Sequence, residues 1–243
     1  MALLEHLEEL RRRIITCLAA VFIGILIGFP FAGRILKILK LPAARTIDKL
    51  VFFSPQEGFL IYWRISFLAG LILALPVILY QIWAFISPAM ERKVRRRAFD
   101  FIFFGSLSFI LGAAFIYFLL LPQALKFLLT FGQKELEPVI SASKYISFVT
   151  TLLLAGGLIF QMPILTLFLT KIGLVNWRFL RKRFAYAVVG IFILAAIITP
   201  TTDVFNMLFL SIPMVFLYGI SILVSFIAKP RAEHKSSQVV TNI

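Results

Sequence analysis

Long apolar runs separated by short charged clusters dominate this chain. The runs cover Ile14–Ala32, Phe59–Phe85, Phe99–Leu121, Tyr145–Leu169, Phe184–Ile198 and Phe205–Ala228. A helix rises about 1.5 Å per residue, so about 20 apolar residues cross the roughly 30 Å of hydrocarbon in a bilayer. The run 184–198 reaches only about 22 Å as a straight helix. It must extend into its flanks, thin the bilayer, or be a re-entrant segment in a five-span arrangement. The pattern predicts an all-α polytopic membrane protein with six transmembrane helices. One transmembrane domain is expected over residues 1–228, and a polar, disordered cytoplasmic tail over 229–243.

Segments 34–57 and 122–144 are long enough for short helices and are punctuated by Pro42, Pro55 and Pro138. Residues 1–33 share the charged start and apolar stretch of a signal peptide. The run is long, however, and no small-residue cleavage site follows, so it reads as a retained first span. No internal repeat is visible, which counts against an inverted-repeat transporter.

Composition sharpens the picture. The chain is 61% hydrophobic and 15% charged, against about 45–50% and 25% in soluble domains, so lipid must solvate most of it. The net charge is +14. Its basic residues flank the apolar runs, which points to an anionic membrane surface rather than nucleic acid. With the N-terminus in the cytoplasm, about 16 Lys and Arg lie inside and about 8 outside, placing both termini in the cytoplasm. The lone Cys17 has no disulfide or metal partner. His6 and His234 sit near opposite ends, and no catalytic or metal-binding set emerges.

Three polar clusters remain as candidates. In the first, Glu8 faces Arg12 and Glu9 faces Arg13 if residues 5–13 are helical. The helix is either self-paired or offers carboxylates to a cationic partner. The second, Tyr80–Glu91, combines an aromatic interface belt around Tyr80 and Trp83 with the helix-starting pair Ser87-Pro88. The third, Thr199–Phe205, forms a tight outer hairpin in which Asp203 can cap the last helix. Gln161 is an intramembrane polar residue next to Pro163, which removes a helix hydrogen bond. Its amide is either helix–helix glue or functional. Arg64 and Asp100 lie near span ends, where snorkelling suffices.

Taken in order, the motifs resemble one family. His6-Leu7-Glu8-Glu9-Leu10-Arg11 precedes the first span, and Ser54-Pro55 precedes the second. Pro76 to Phe85, Ser87-Pro88-Ala89 and Tyr145-Ile146-Ser147-Phe148 follow. Phe160-Gln161-Met162-Pro163, Thr199-Pro200 with Asp203-Val204-Phe205, and Ile212-Pro213-Met214 complete the series. Over residues 5–228 this order is similar to the TatC family of twin-arginine protein translocases. The resemblance implies a curved, concave helix arrangement in a bacterial or archaeal cell membrane rather than an organelle membrane. It implies a receptor that binds twin-arginine signal peptides of folded precursors at the cytoplasmic face. Its partners would be TatA- and TatB-type single-span proteins and further copies of itself, with export driven by the proton-motive force. It implies no cofactor, no metal, no nucleic acid and no enzymatic chemistry. By position, Glu9, Arg11 and Phe85 would contact the signal peptide, joined by Glu91 as the acid nearest to the family's second one. Gln161 would face the concavity, and Pro200 and Asp203 would belong to the partner-docking outer hairpin.

The chain departs from the family pattern in four places. Gln161 and Val94 stand where the family usually has acids, with Glu91 about one turn before Val94. Met207 and Leu208 replace a usual polar pair, and the outer hairpin holds one extra residue. The alternatives are a divergent paralogue with altered partners, or a small secondary transporter or channel. A transporter would place polar groups on several spans, and Gln161 is almost alone. An intramembrane enzyme would need a nucleophile with a base, or metal ligands.

Overall fold

A computed structural model describes residues 2–43, 50–87, 97–130, 139–199 and 204–228. Helices account for nearly all of them, because backbone polar groups in hydrocarbon must be satisfied within their own segment. Helix α1 (Ala2–Gly28) passes through a 3-10 turn at Phe29–Phe31 into α2 (Ala32–Lys40). Pro30 accounts for the change of winding, since it has no N–H to give to an α-helical bond. Helix α3 (Glu57–Ile86) runs unbroken through Pro76. Helix α4 (Ala98–Phe115) continues through a π-helical turn, Ile116–Leu120, into α5 (Leu121–Thr130). The short helices α2 and α5 occupy the segments where the sequence leaves room for them.

Helix α6 (Ala142–Ile159) is capped by Ser141, whose hydroxyl accepts from the Lys144 N–H at 3.2 Å. A turn at Phe160-Gln161 separates it from α7 (Met162–Ile172), so the span breaks where Pro163 cannot continue the bond ladder. Gly173 ends α7 at φ +84°, a conformation that favours glycine. Then follow α8 (Trp177–Lys182), α9 (Phe184–Ile198) and α10 (Val204–Ile227). Among the described residues, five helical rods are long and apolar enough to cross a membrane, and α9 is a shorter sixth apolar helix. The chain is therefore an all-α, multi-pass membrane protein.

Neighbouring helices meet where side chains vanish. An added Cβ on Gly24 of α1 would lie 2.5 Å from the Gly70 carbonyl oxygen of α3. Gly112 of α4 faces Gly156 of α6 with the same lack of room. Such small-residue crossings are how apolar helices gain contact in lipid, where burial itself gives no advantage. Helix α3 packs on α1, α4 and α6, whereas α7 packs on α10, which in turn carries α9. Thr170 donates to Ser225 at 2.8 Å across the α7–α10 contact. Outward faces carry exposed Phe22, Phe103, Phe118 and Ile197, as a lipid solvent demands.

One end of the molecule is laced by long-range polar bonds. Strand β1 (Leu50–Val51) pairs in parallel with β2 (Ile140–Ser141). The last carbonyls of α2 accept from Tyr117 and Tyr145, each at 2.7 Å. Arg64 reaches the Ser143 carbonyl at 3.1 Å. This charge is thus tied to a neighbouring helix start as well as drawn towards the span end.

Candidate functional site

The opposite end carries the candidate residues. The His6–Lys40 rod has 35 residues, about 52 Å of helix, well over the hydrocarbon thickness of about 30 Å. Its apolar run starts at Ile14, so residues 6–13 project beyond the lipid core. There the i,i+4 spacing closes one pair: Arg13 donates to Glu9 through both Nε and Nη2, onto the same carboxylate oxygen. The Arg13 Nη1 also reaches the Gln81 carbonyl at 3.4 Å, which fastens the pair to α3. Four residues after Gln81 on α3, and one turn before Glu9 on α1, a second clamp forms. The His6 ring stacks on Phe85 with centroids 4.6 Å apart and planes 24° apart.

The clamp leaves chemistry available. Glu9 Oε1 is taken by Arg13, whereas Oε2 has only the His6 Nδ1 at 4.0 Å. A carboxylate oxygen offers two lone pairs, so Oε2 can accept an incoming cation. The hydrogen bond from Arg13 holds the Glu9 carboxyl below the usual carboxylate range. Glu9 is therefore ionised at neutral pH and pre-oriented. Glu8, Arg11 and Arg12 surround it, all exposed. Glu8 makes no ion pair with Arg12 among the described residues, so only the Glu9 half of the expected pairing closes.

The structure thus brings Glu9, Arg11 and Phe85 to one end, with Phe85 half-buried beneath His6. Glu91, Pro200 and Asp203 lie outside the described residues, as does Val94. Gln161 is buried, away from this surface. Its Nε2 donates to the Gly105 carbonyl of α4 at 2.9 Å, and its Oε1 has no partner among the described residues. The amide joins α4 to the α6–α7 break. Ser108, one turn along α4, donates to the Phe160 carbonyl freed by that break, at 2.7 Å.

The i,i+4 spacing points to Arg13 as the partner of Glu9, and the pair closes; the contact of Arg13 with Gln81 is the part that sequence reasoning does not find. Both lie inside or beside the quoted motif blocks. Helical spacing shows a partner on the same helix, whereas the contact with Gln81 spans 68 positions.

Comparisons with known proteins give the family. The family described as Sec-independent protein translocase protein (TatC) matches residues 5–213. The chain belongs to the TatC family. A TatC protein of Helicobacter pylori (strain J99) is 40% identical over 225 residues, covering 93% of this chain and 89% of the relative. One from Aquifex aeolicus is 43% identical, covering 94% and 96%. A crystal structure of the twin arginine translocase receptor TatC superposes with a TM-score of 0.83 at 40% identity, covering 92% of this chain and 99% of that one. The chain is thus a membrane-embedded component of a Sec-independent protein translocase.

Proposed function

We propose that this TatC chain is the receptor core of its translocase, capturing twin-arginine signal peptides of folded precursors at the cytoplasmic face. The arrangement at Glu9 carries the reading: an ionised carboxylate, held by Arg13 and Gln81 beyond the lipid core, with one oxygen open. A guanidinium presents several N–H donors in a fixed plane, one of which can reach the open oxygen, whereas a lysine ammonium is a more strongly hydrated point charge. Arg11 and Phe85 complete the surface, and Glu91 is assigned to it as the acid nearest to the motif position that Val94 occupies. The similarity to a twin arginine translocase receptor supports the same role. Both termini lie in the cytoplasm in this reading, in line with the excess of Lys and Arg on that side. Residues 1–228 form the transmembrane domain and 229–243 a cytoplasmic tail. The outer hairpin with Pro200 and Asp203 serves docking of TatA- and TatB-type single-span partners. The proton-motive force drives export from an oligomeric complex.

One experiment tests the capture and its sidedness. Photo-crosslinkable peptides carrying Arg-Arg or Lys-Lys are offered to inverted and right-side-out membrane vesicles. Crosslinking is expected only with Arg-Arg and only in inverted vesicles. A hydrogen bond between charged groups contributes about 1.5–3 kcal/mol, so Glu9→Gln should reduce capture at least about tenfold. Unchanged capture by Glu9→Gln would remove the carboxylate from recognition. Capture in right-side-out vesicles alone would reverse the orientation.

A further inference from the structure

A cavity of about 490 Å³ opens between α3, α4, α7 and α10, apart from the Glu9 surface. Its wall is apolar, formed by Phe104, Leu107, Leu111, Ile164 and Leu167. The buried Trp83 closes its back. Charge is confined to one rim, where Arg97 and Asp100 begin α4 and Lys171 ends α7. None of the three forms an ion pair among the described residues. From Asp100 to Leu111 the wall follows α4 for 11 steps, about 16 Å. That is the depth of one leaflet, half of the roughly 30 Å hydrocarbon core.

These dimensions and charges describe a site for an amphiphile. A soluble anion would satisfy the rim and leave the apolar wall against water. A cationic peptide would meet a rim of net charge +1. An anionic lipid meets both parts, and basic pockets between transmembrane helices recognise such headgroups. We propose that the cavity holds one acyl chain of an anionic glycerophospholipid from the leaflet on the Glu9 side. Arg97 presents its fork to the phosphate and Lys171 adds a point charge. Asp100, which repels the phosphate, accepts from a headgroup hydroxyl, so a glycerol headgroup fits the rim. The bound lipid fills the space between α3–α4 and α7–α10, whose helices otherwise meet through the aromatic contacts of Trp83, Phe101 and Phe168.

Trp83 reports occupancy. The full chain with Trp63→Phe and Trp177→Phe, leaving Trp83 as its single tryptophan, is reconstituted in phosphatidylcholine vesicles. Phosphatidylglycerol brominated on its acyl chains is then titrated in, and in parallel brominated phosphatidylcholine. Quenching of Trp83 should saturate at a low mole fraction of the anionic lipid and be far weaker with the choline lipid. Each basic residue near an anionic surface is worth about 1 kcal/mol, or about fivefold. Arg97→Gln with Lys171→Gln should therefore raise the half-quenching fraction about 25-fold, and Asp100→Asn should lower it. The swap Arg97→Lys with Lys171→Arg should keep the preference, which separates lost charge from lost folding. Equal quenching by both lipids, or none by either, overturns the proposal. So does quenching that ignores the headgroup and is relieved by a twin-arginine peptide, which would assign the cavity to peptide.

Discussion

The Gln161 amide reaches from the α6–α7 break to the Gly105 carbonyl, and both groups are buried. The sequence marks Gln161 as a polar residue in an apolar run but cannot reveal its partner. That partner is the backbone of a residue without a side chain, 56 positions away. Whether the amide is glue or a functional group in a concavity therefore needed the packing, and the packing shows it bonded between helices. Two substitutions test what it contributes. Gln161→Leu loses one interhelical hydrogen bond, about 0.6–2 kcal/mol, but also removes a buried oxygen without a partner, worth about 1–3 kcal/mol. Its thermal stability in detergent should stay within about 1 kcal/mol of the parent. Gln161→Glu restores an acid but loses the donor to Gly105 and must bury or neutralise a charge, costing a few kcal/mol. A Gln161→Glu protein more stable than Gln161→Leu would mean that water reaches this position. Glu9 is the opposite case, half-exposed at the surface and legible from its i,i+4 spacing. Its carboxyl is held low by Arg13, so the Glu9–Arg13 pairing is present above the ordinary carboxylate pKa of about 4.3 and is lost only as pH falls below it. Arg-Arg peptide capture should accordingly be flat from about pH 8 to about pH 5. A midpoint inside that range would mean that a group other than Glu9 governs capture.

At the scale of elements, the apolar runs were legible because a bilayer admits little else but helices. The positions of α2 and α5 followed from the lengths left between runs. The π-helical turn Ile116–Leu120 was not legible, because nothing in Ile-Tyr-Phe-Leu-Leu distinguishes it from α-helix. Pairing of helices was not legible either. It depends on which glycines face one another, and Gly24, Gly70, Gly112 and Gly156 look like Gly190 and Gly219 in sequence. The structure separates them: a Cβ at Gly190 or Gly219 meets nothing within 4 Å, whereas one at Gly70 lies 2.6 Å from the Ile25 nitrogen. Gly70→Val should thus force α1 from α3 at a cost of about 1–3 kcal/mol. Gly190→Val should change stability little. Because α1 carries Glu9 and His6, Gly70→Val should also lower peptide capture from a crossing that lies 15 residues from Glu9 along α1, counted from Gly24. Labelling of the half-buried Cys17 on α1 by a lipid-soluble maleimide measures the separation. The labelling rate should rise in Gly70→Val and not in Gly190→Val, and equal rates would show that α1 is held elsewhere.

For the molecule as a whole, the two ends are built differently. Among the described residues, the Glu9 end is joined by one ring stack and the Arg13–Gln81 contact at the α1–α3 pair. The far end is laced by the β1–β2 pairing, the two tyrosines on α2, and Arg64 on Ser143. In lipid, where apolar burial does not drive helices together, such bonds and close packing decide which parts stay fixed. The laced end then acts as the frame, and the Glu9 end is free to adjust to a peptide. Tyr145 tests this division. Its ring is buried, and its hydroxyl gives the Leu39 carbonyl a partner it would otherwise lack. Tyr145→Phe keeps the ring and removes only that bond, so it should cost about 1–3 kcal/mol, the range for a buried acceptor left without a donor. Tyr117→Phe should cost less, about 0.5–1.5 kcal/mol, because its bond to Ile38 lies at an exposed position where water can replace it. The two bonds end on adjacent residues of one helix, so the double variant should depart from additivity by about 0.5 kcal/mol or more. Arg-Arg peptide capture per folded molecule should be unchanged in all three. If capture falls in step with stability, the two ends are coupled, and the division into frame and recognition end is wrong.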